Sequence, residues 1–127
     1  MVVYTSNIND ITPKELEGFF VGWAKPLTIE QHFNHLTKCT HFIAALEDDR
    51  VVGFVSAFSD GIACAFIPMI EVLPKYQKRG IGSELIRRML EALKHIGIVD
   101  LMCDESVQDF YERFGMKKLT GMGIRRE

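Results

Sequence analysis

The sequence has few of the residues and patterns that mark disulfide-rich or metal-binding proteins. Its three cysteines, Cys39, Cys64 and Cys103, include no C-x-x-C pair. It therefore predicts neither a disulfide framework nor a zinc site, and we expect reduced, mostly buried thiols in a cytoplasmic protein. The four histidines are scattered without an H-E-x-x-H spacing, so we expect no metal.

Charge and hydropathy exclude two further classes. Fifteen Lys and Arg against 17 Asp and Glu give a net charge of −2, whereas a nucleic-acid binder is normally strongly basic. No apolar run approaches the roughly 20 residues that span a bilayer, and residues 1–7 lack the features of a signal peptide. We therefore expect no nucleic-acid partner and no membrane association. A chain of 127 residues, 47% hydrophobic, is typical of one globular domain, here residues 1–127.

The amino-terminal half predicts a short strand, two helices and a hairpin. Residues 2–5 form the strand, and Thr12 caps a helix that continues through Phe20. Thr28 opens a second helix, with Gln31 completing a capping box. Residues 41–46 and 51–58 form an antiparallel hairpin, whose turn residues Glu47, Asp48 and Asp49 we expect to be merely solvated.

The carboxy-terminal half predicts a strand-helix-strand unit. Residues 62–73 are apolar enough for a central strand buried on both faces, with an irregularity at Pro68. A helix follows, capped by Gly97, with an apolar face of Ile81, Leu85, Met89, Ala92, Leu93 and Ile96. Next come a strand over 98–103, a short helix stopped at Gly115, and a last extended strand over 116–126. The predicted fold is therefore α/β (α+β): a mixed central sheet, antiparallel in its first half, with a parallel βαβ core and flanking helices.

The stretch from Ile70 to Ser83 runs from a strand through a basic loop into a helix amino terminus. The first N–H groups of a helix have no internal partner, and the helix dipole is positive there. Glycines at 80 and 82 let a bulky anion approach the backbone, and Lys78 and Arg79 add positive charge. The pattern favours a diphosphate site over a solvated loop with glycines used only for turning. It matches neither G-x-G-x-x-G, because Leu85 stands at the third position, nor a nucleotide-triphosphate loop.

Two motifs in this half resemble those of one enzyme family. The first is Gln77-x-x-Gly80-x-Gly82, preceded by Val72-x-Pro74, and the second is Asp104-x-x-Val107-x-x-Phe110-Tyr111-x-x-x-Gly115-Met116. Together they resemble the GNAT superfamily of acyl-CoA N-acyltransferases, and the order of predicted elements is similar to that fold along essentially the whole chain. Asp104 stands where the family has Asn, which puts an amide contact in doubt, and Met116 stands where it has Phe.

The resemblance implies acetyl-CoA as acyl donor and an amine of a small molecule or peptide as acceptor. A homodimer is a further implication of the family. The resemblance places the cofactor against strand-edge backbone, the loop and the second motif. The residues concerned are Ile70, Val72, Leu73, Gln77, Lys78, Arg79, Gly80, Ile81, Gly82, Ser83, Asp104 and Tyr111.

Two catalytic residues follow from the resemblance and from the chemistry of acyl transfer. Tyr111 would be the general acid for the departing thiolate, because a phenol is protonated at neutral pH; the alternative is an aromatic packed beside Phe110. The attacking amine must lose a proton, and Glu71 is the nearest carboxylate in sequence; the alternative is a strand residue facing solvent or in a salt bridge. A backbone N–H of Ile70 or Val72 could stabilise the carbonyl oxygen.

Three functions remain open from the sequence. The first is an N-acetyltransferase that acts on a primary amine by direct attack. The second is a CoA-binding sensor or interaction module without catalysis, suggested by Asp104. The third is a purely structural domain, which would gain no stability from added CoA.

Overall fold

The computed structural model describes residues 1–126, which form a five-stranded sheet with three α-helices. The strands lie side by side in chain order, β1 to β5; the first four are antiparallel, and β4 and β5 are parallel. The mixed sheet and its parallel βαβ unit are therefore confirmed. The strands are β1 Val3–Thr5, β2 His41–Glu47, β3 Arg50–Ser59, β4 Cys64–Val72 and β5 Ile98–Leu101, and the helices are α1 Ile29–Lys38, α2 Ile81–Ala92 and α3 Gln108–Glu112.

Each face of the sheet carries its own hydrophobic core. The α1-side core joins Leu36 of α1 to strand residues such as Phe54 and to the segment that precedes α1. The α2-side core packs α2 and Tyr111 of α3 against the other face. Gly53 of β3 lies under α2, where an added Cβ would stand 3.2 Å from the side chains of Ile81 and Leu85.

The first predicted helix is wrong, whereas the second is confirmed. Thr12 and Glu15 do form a capping box, but the chain makes only a 3₁₀ turn over Pro13–Leu16. It then passes through left-handed backbone at Gly18 and Phe20, which an α-helix cannot accommodate. α1 begins with its predicted capping box, in which Thr28 accepts the N–H of Gln31.

The hairpin is confirmed, but β4 is not buried on both faces. Both central turn residues, Asp48 and Asp49, have positive φ, as in the turn that best matches strand twist. Phe66 of β4 is 40% exposed, whereas its neighbours Ala65 and Ile67, which point to the other face of the sheet, are buried. The irregularity predicted at Pro68 is confirmed: the β3–β4 register shifts between the Ser56–Met69 and Phe58–Phe66 pairs.

Several boundaries differ from their predictions, and the last predicted strand is absent. β4 spans Cys64–Val72 rather than 62–73, and β5 ends at Leu101 rather than at residue 103. α2 ends at Ala92, and its cap is Leu93 rather than Gly97, because residues 93–95 turn instead of continuing the helix. The predicted strand over 116–126 is not formed: this segment has no ladder, although Gly121 lies against Met102.

His32 of α1 is the most deeply buried titratable group in the α1-side core. It is 1% exposed and lies among the rings of Phe19, Phe20 and Phe54, with centroids 4.3–5.4 Å away. Neither of its ring nitrogens has a hydrogen-bond partner among the described residues. Burial, reinforced by neighbouring His35, lowers the pKa of His32 from 6.5 to about 4.

We expect this histidine to make the fold sensitive to acid. Because the folded-state pKa is depressed, the stability linked to His32 is present above pH 6.5 and is lost as pH falls from 6.5 towards 4. The full loss is about 3 kcal/mol. Urea unfolding at several pH values measures it. His32→Leu should remove most of this slope, and His95→Gln, which changes an exposed histidine, should keep it. An unchanged slope in His32→Leu contradicts the assignment.

Candidate active site

A notch opens between the two parallel strands. β4 pairs with β5 only from Cys64 to Ile67, where β5 reaches Leu101. Beyond that point β4 continues to Val72, while the chain after β5 turns away into a 3₁₀ turn and α3. Residues 68–72 of β4 therefore have no neighbouring strand on that side within residues 1–126. We call this gap the β4–β5 notch.

The backbone of β4 presents polar groups to the notch. Leu73 donates its N–H to the carbonyl of Val52 on β3, at 2.9 Å. Antiparallel ladders alternate between residues whose backbone groups face the partner strand and residues whose groups face away. Glu71, in register with Phe54, therefore faces β3 with its backbone, and the N–H groups of Ile70 and Val72 face the notch. Of the two edge residues predicted, Val72 has a free N–H, although its carbonyl accepts the side-chain amide of Gln77, whereas the N–H of Leu73 is already used.

The amino terminus of α2 forms a row of free backbone donors beside the notch. The first N–H bonded in this helix is that of Glu84, which donates to the carbonyl of Gly80 at 3.1 Å. No group in the described chain accepts the N–H groups of residues 78–83. We call these six groups the amide cradle. Unpaired donors at the positive end of a helix attract anions.

Glycine keeps the cradle open at two positions. Gly80 is the helix cap, with φ of 83°, a conformation that favours glycine, and nothing lies within 4 Å of its would-be Cβ. A Cβ on Gly82 would stand 3.8 Å from Val72 and 3.9 Å from Phe110. The structure therefore brings the two sequence motifs together: the end of β4, the start of α2 and the helix α3 meet at Gly82.

The two cations of the loop have different surroundings. Arg79 makes a bidentate hydrogen-bonded ion pair with Glu47, at 3.0 and 3.1 Å, and lies over the ring of Tyr76. The Tyr76 hydroxyl donates to Asp48 at 3.3 Å. Lys78 makes no ion pair with the described residues. The prediction that Glu47 and Asp48 are merely solvated is wrong, and only the fold could reveal this, because 32 residues separate Glu47 from Arg79.

Gln77 has a role within the loop itself. Its side-chain amide donates to the carbonyl of Val72 at 2.9 Å. The contact joins the end of β4 to the loop that leads into α2. The side-chain donor of Gln77 therefore orients the backbone of this loop.

α3 and the turn before it form the other side of the notch. Asp104 is exposed after β5 and begins the 3₁₀ turn Glu105–Val107, with no side-chain cap bond. Tyr111 is 9% exposed, and its ring packs in the α2-side core. Burial raises the pKa of the Tyr111 phenol, and nearby Cys103 raises it further. The phenol therefore stays protonated at neutral pH.

Glu71 projects from the end of β4 to the α1 side of the sheet. Its carboxylate accepts the N–H of Phe20 at 2.9 and 3.0 Å and that of Val21 at 3.3 Å. Neither sequence alternative, an open solvent position or a salt bridge, describes these contacts. The carboxylate holds a loop with left-handed backbone at Phe20, and it keeps a lone pair beyond the bonds that it accepts.

Residues 1–126 contain no group of three or more His, Cys, Asp or Glu side chains that could hold a metal ion. No helix in that range has the length and apolar character needed to cross a bilayer.

Known proteins share this sequence pattern and this fold. A family model described as the acetyltransferase (GNAT) family matches residues 8–116. The chloroplastic GCN5-related N-acetyltransferase 2 of Arabidopsis thaliana is 33% identical over 73 residues, which are 56% of this chain and 28% of that protein. The uncharacterized N-acetyltransferase ycf52 of Porphyra purpurea is 30% identical over 123 residues, 91% of this chain and 71% of that protein. The chain thus spans less than a third of the Arabidopsis relative.

A solved structure matches nearly the whole chain. It is the crystal structure of a proposed acetyltransferase from Deinococcus radiodurans R1, with a TM-score of 0.95 and 42% sequence identity. The match covers 98% of this chain and 88% of the other. The family match, the fold and the site geometry agree, and the chain belongs to the acetyltransferase (GNAT) family.

Proposed function

We propose that this protein transfers an acetyl group from acetyl-CoA to a primary amine of a small molecule or peptide, within a single domain of residues 1–127. The observation that carries the proposal is the amide cradle, six unpaired backbone N–H groups beside the β4–β5 notch. An anion held there would place an attached chain along the backbone of β4. The relatives named as N-acetyltransferases support the same reaction.

The residues of the site fit coenzyme A. The cradle offers backbone donors to a diphosphate, and Lys78 supplies a cation that no described carboxylate neutralises. The free N–H groups of Ile70 and Val72 offer strand-like bonds to the amides of a pantetheine arm. Gly80, Ile81, Gly82 and Ser83 contribute backbone rather than side chains, which suits a site where Ile81 is buried.

The proposed mechanism uses a base, a backbone N–H donor and an acid. Acetyl-CoA supplies a thioester whose carbonyl carbon is attacked by the neutral amine. The Glu71 carboxylate removes the proton from that amine, directly or through water. A backbone N–H of Ile70 or Val72 stabilises the negative charge on the carbonyl oxygen. The Tyr111 hydroxyl donates its proton to the departing sulfur, and its raised pKa keeps that proton available.

Binding and turnover test the proposal separately. A thermal melt with CoA should show a raised Tm, since a ligand at 100 times its Kd adds about 2.7 kcal/mol of stability. Acetyl-CoA incubated with a panel of primary amines should release free thiol and yield an acetylated product. Binding without transfer to any amine would favour the CoA-binding module instead. An unchanged Tm together with no transfer would overturn both functions.

The cradle yields a prediction with a matched control. Gly80 and Gly61 both have left-handed backbone with nothing within 4 Å of a would-be Cβ. Alanine at either position should therefore cost about 1 kcal/mol of stability. Only Gly80→Ala should raise the Kd for CoA, by about tenfold, because the relaxed cap turns the N–H groups away. Calorimetric titration measures this, and equal Kd values for the two variants contradict the role of the cradle.

We also propose a cytoplasmic location and a homodimeric assembly. The three cysteines are free, which suits the reducing cytoplasm, but they are not mostly buried as predicted, because Cys64 and Cys103 are exposed. A homodimer is the assembly that the family resemblance implies. Sedimentation at several protein concentrations tests this assembly, and a single monomeric species would contradict it.

A further inference from the structure

The end of β2 and the turn that follows it contact the loop between β4 and α2 at two residues, Arg79 and Tyr76. Glu47 accepts both terminal nitrogens of Arg79, at 3.0 and 3.1 Å. Asp48 accepts the hydroxyl of Tyr76 at 3.3 Å, and the Arg79 guanidinium lies 5.5 Å from the centre of the Tyr76 ring. These contacts connect a hairpin turn to the segment directly before the cap Gly80.

Both ends of this connection are held in place. The side chain of Glu47 is 12% exposed, and it lies at the end of a strand paired with β3 through Arg50. Tyr76 packs against both hydrophobic cores. A bidentate carboxylate–guanidinium pair fixes orientation as well as distance. Arg79 precedes Gly80 in the chain, so fixing Arg79 restricts the backbone that carries the amide cradle.

Charge repulsion alone predicts that Glu47 weakens the binding of an anionic ligand at the cradle. A carboxylate near a site for an anionic diphosphate should weaken its binding through repulsion. The hydrogen bonds from Arg79 hold the pKa of Glu47 below its usual range, so the pair is fully ionised at neutral pH and Glu47 neutralises the adjacent arginine. Repulsion therefore predicts tighter CoA binding when the charge of Glu47 is removed, whereas a role in holding Arg79 in place predicts weaker CoA binding.

We infer that Glu47 is a positioning residue for the cofactor: through Arg79 it holds the cradle in the geometry that binds the diphosphate of CoA. This inference rests on the proposed function. The loop binds the diphosphate through its backbone N–H groups and Lys78, while Arg79 holds the loop in position. Holding a site in its binding geometry before the ligand arrives improves affinity.

The decisive experiment compares CoA with pantetheine, which lacks the diphosphate. Glu47→Gln should raise the Kd for CoA about fivefold and leave the Kd for pantetheine unchanged, both measured by calorimetry. Asp49→Asn removes a negative charge from the same turn, at a residue whose side chain makes no hydrogen bond or ion pair with the described residues and whose φ of 58° Asn tolerates. This control should bind CoA as tightly as the wild type or slightly more tightly.

A second variant separates positioning from direct contact. Arg79→Ala should raise the Kd for CoA by a similar factor, and the double variant with Glu47→Gln should be no worse than either single change. An additional loss in the double variant would mean that Glu47 acts independently of Arg79, and it would overturn the inference. Tighter CoA binding by Glu47→Gln, or equal weakening of CoA and pantetheine, overturns the inference. Wild-type protein that binds no CoA overturns the proposed function instead.

Discussion

Replacing Tyr111 with phenylalanine is expected to lower kcat about 100-fold at saturating acetyl-CoA, the usual contribution of a general acid. The fold should survive, because the ring fills the same space in the α2-side core and only the hydroxyl is lost. The KM for acetyl-CoA should change little, since the cradle is untouched. Steady-state rates of thiol release, with the best amine of the panel, measure both constants.

A second tyrosine provides the control for this change. Tyr4 also has a pKa raised chiefly by burial, but it lies on β1 beneath Arg88, at the opposite edge of the sheet from the notch. Tyr4→Phe should leave kcat within twofold of the wild type. Equal rates for Tyr111→Phe and the wild type would remove the general-acid role. If wild type itself binds CoA but transfers no acetyl group, the non-catalytic module is the better description.

Replacing Glu71 with glutamine is expected to lower kcat by about 100-fold as well, because the amide cannot take a proton from the attacking amine. The glutamine oxygen can still accept the N–H of Phe20, so the loop before α1 should keep its position. Glu71→Ala removes both functions and should additionally raise the KM for the amine and lower the Tm. Comparing these two variants separates proton transfer from loop positioning.

Glu91→Gln is the matched control for the carboxylate. Glu91 lies near the end of α2 in an exposed pair with Lys94, and exposed pairs contribute little, so this change should leave kcat and KM unaltered. A normal kcat in Glu71→Gln together with a raised amine KM in Glu71→Ala would assign Glu71 to positioning alone. Normal constants in both variants would exclude it from the site.

Local sequence signals predicted most elements because each one depends on a few neighbouring residues. The capping box of Thr28 and Gln31, the β2–β3 hairpin and the irregularity at Pro68 are all short-range effects. The first helix failed for a long-range reason. Its cap is present, but Glu71, 51 residues away from Phe20, binds the backbone N–H of the segment in a non-helical loop. Tertiary bonds override local helix propensity in this segment.

The predicted strand over 116–126 failed for a related reason. Strand propensity is realised only where a partner edge offers hydrogen bonds, and this segment forms no ladder with β5. α2 shows the converse case, since its apolar spacing alone set which face is buried. Leu85 and Met89 are fully buried as predicted.

The sequence by itself determined the family, the mixed sheet and the row of amides at the start of α2. Glycine spacing and helix polarity depend on consecutive residues, so the sequence shows them directly. Only the tertiary structure decided which groups remain free to bind. It paired Arg79 with Glu47, committed Gln77 to the carbonyl of Val72 and placed Glu71 against the backbone of Phe20. The physical reason is that a hydrogen-bonding group pairs with whichever partner the fold brings within bonding distance. The separation of two residues along the chain does not predict their distance in the fold.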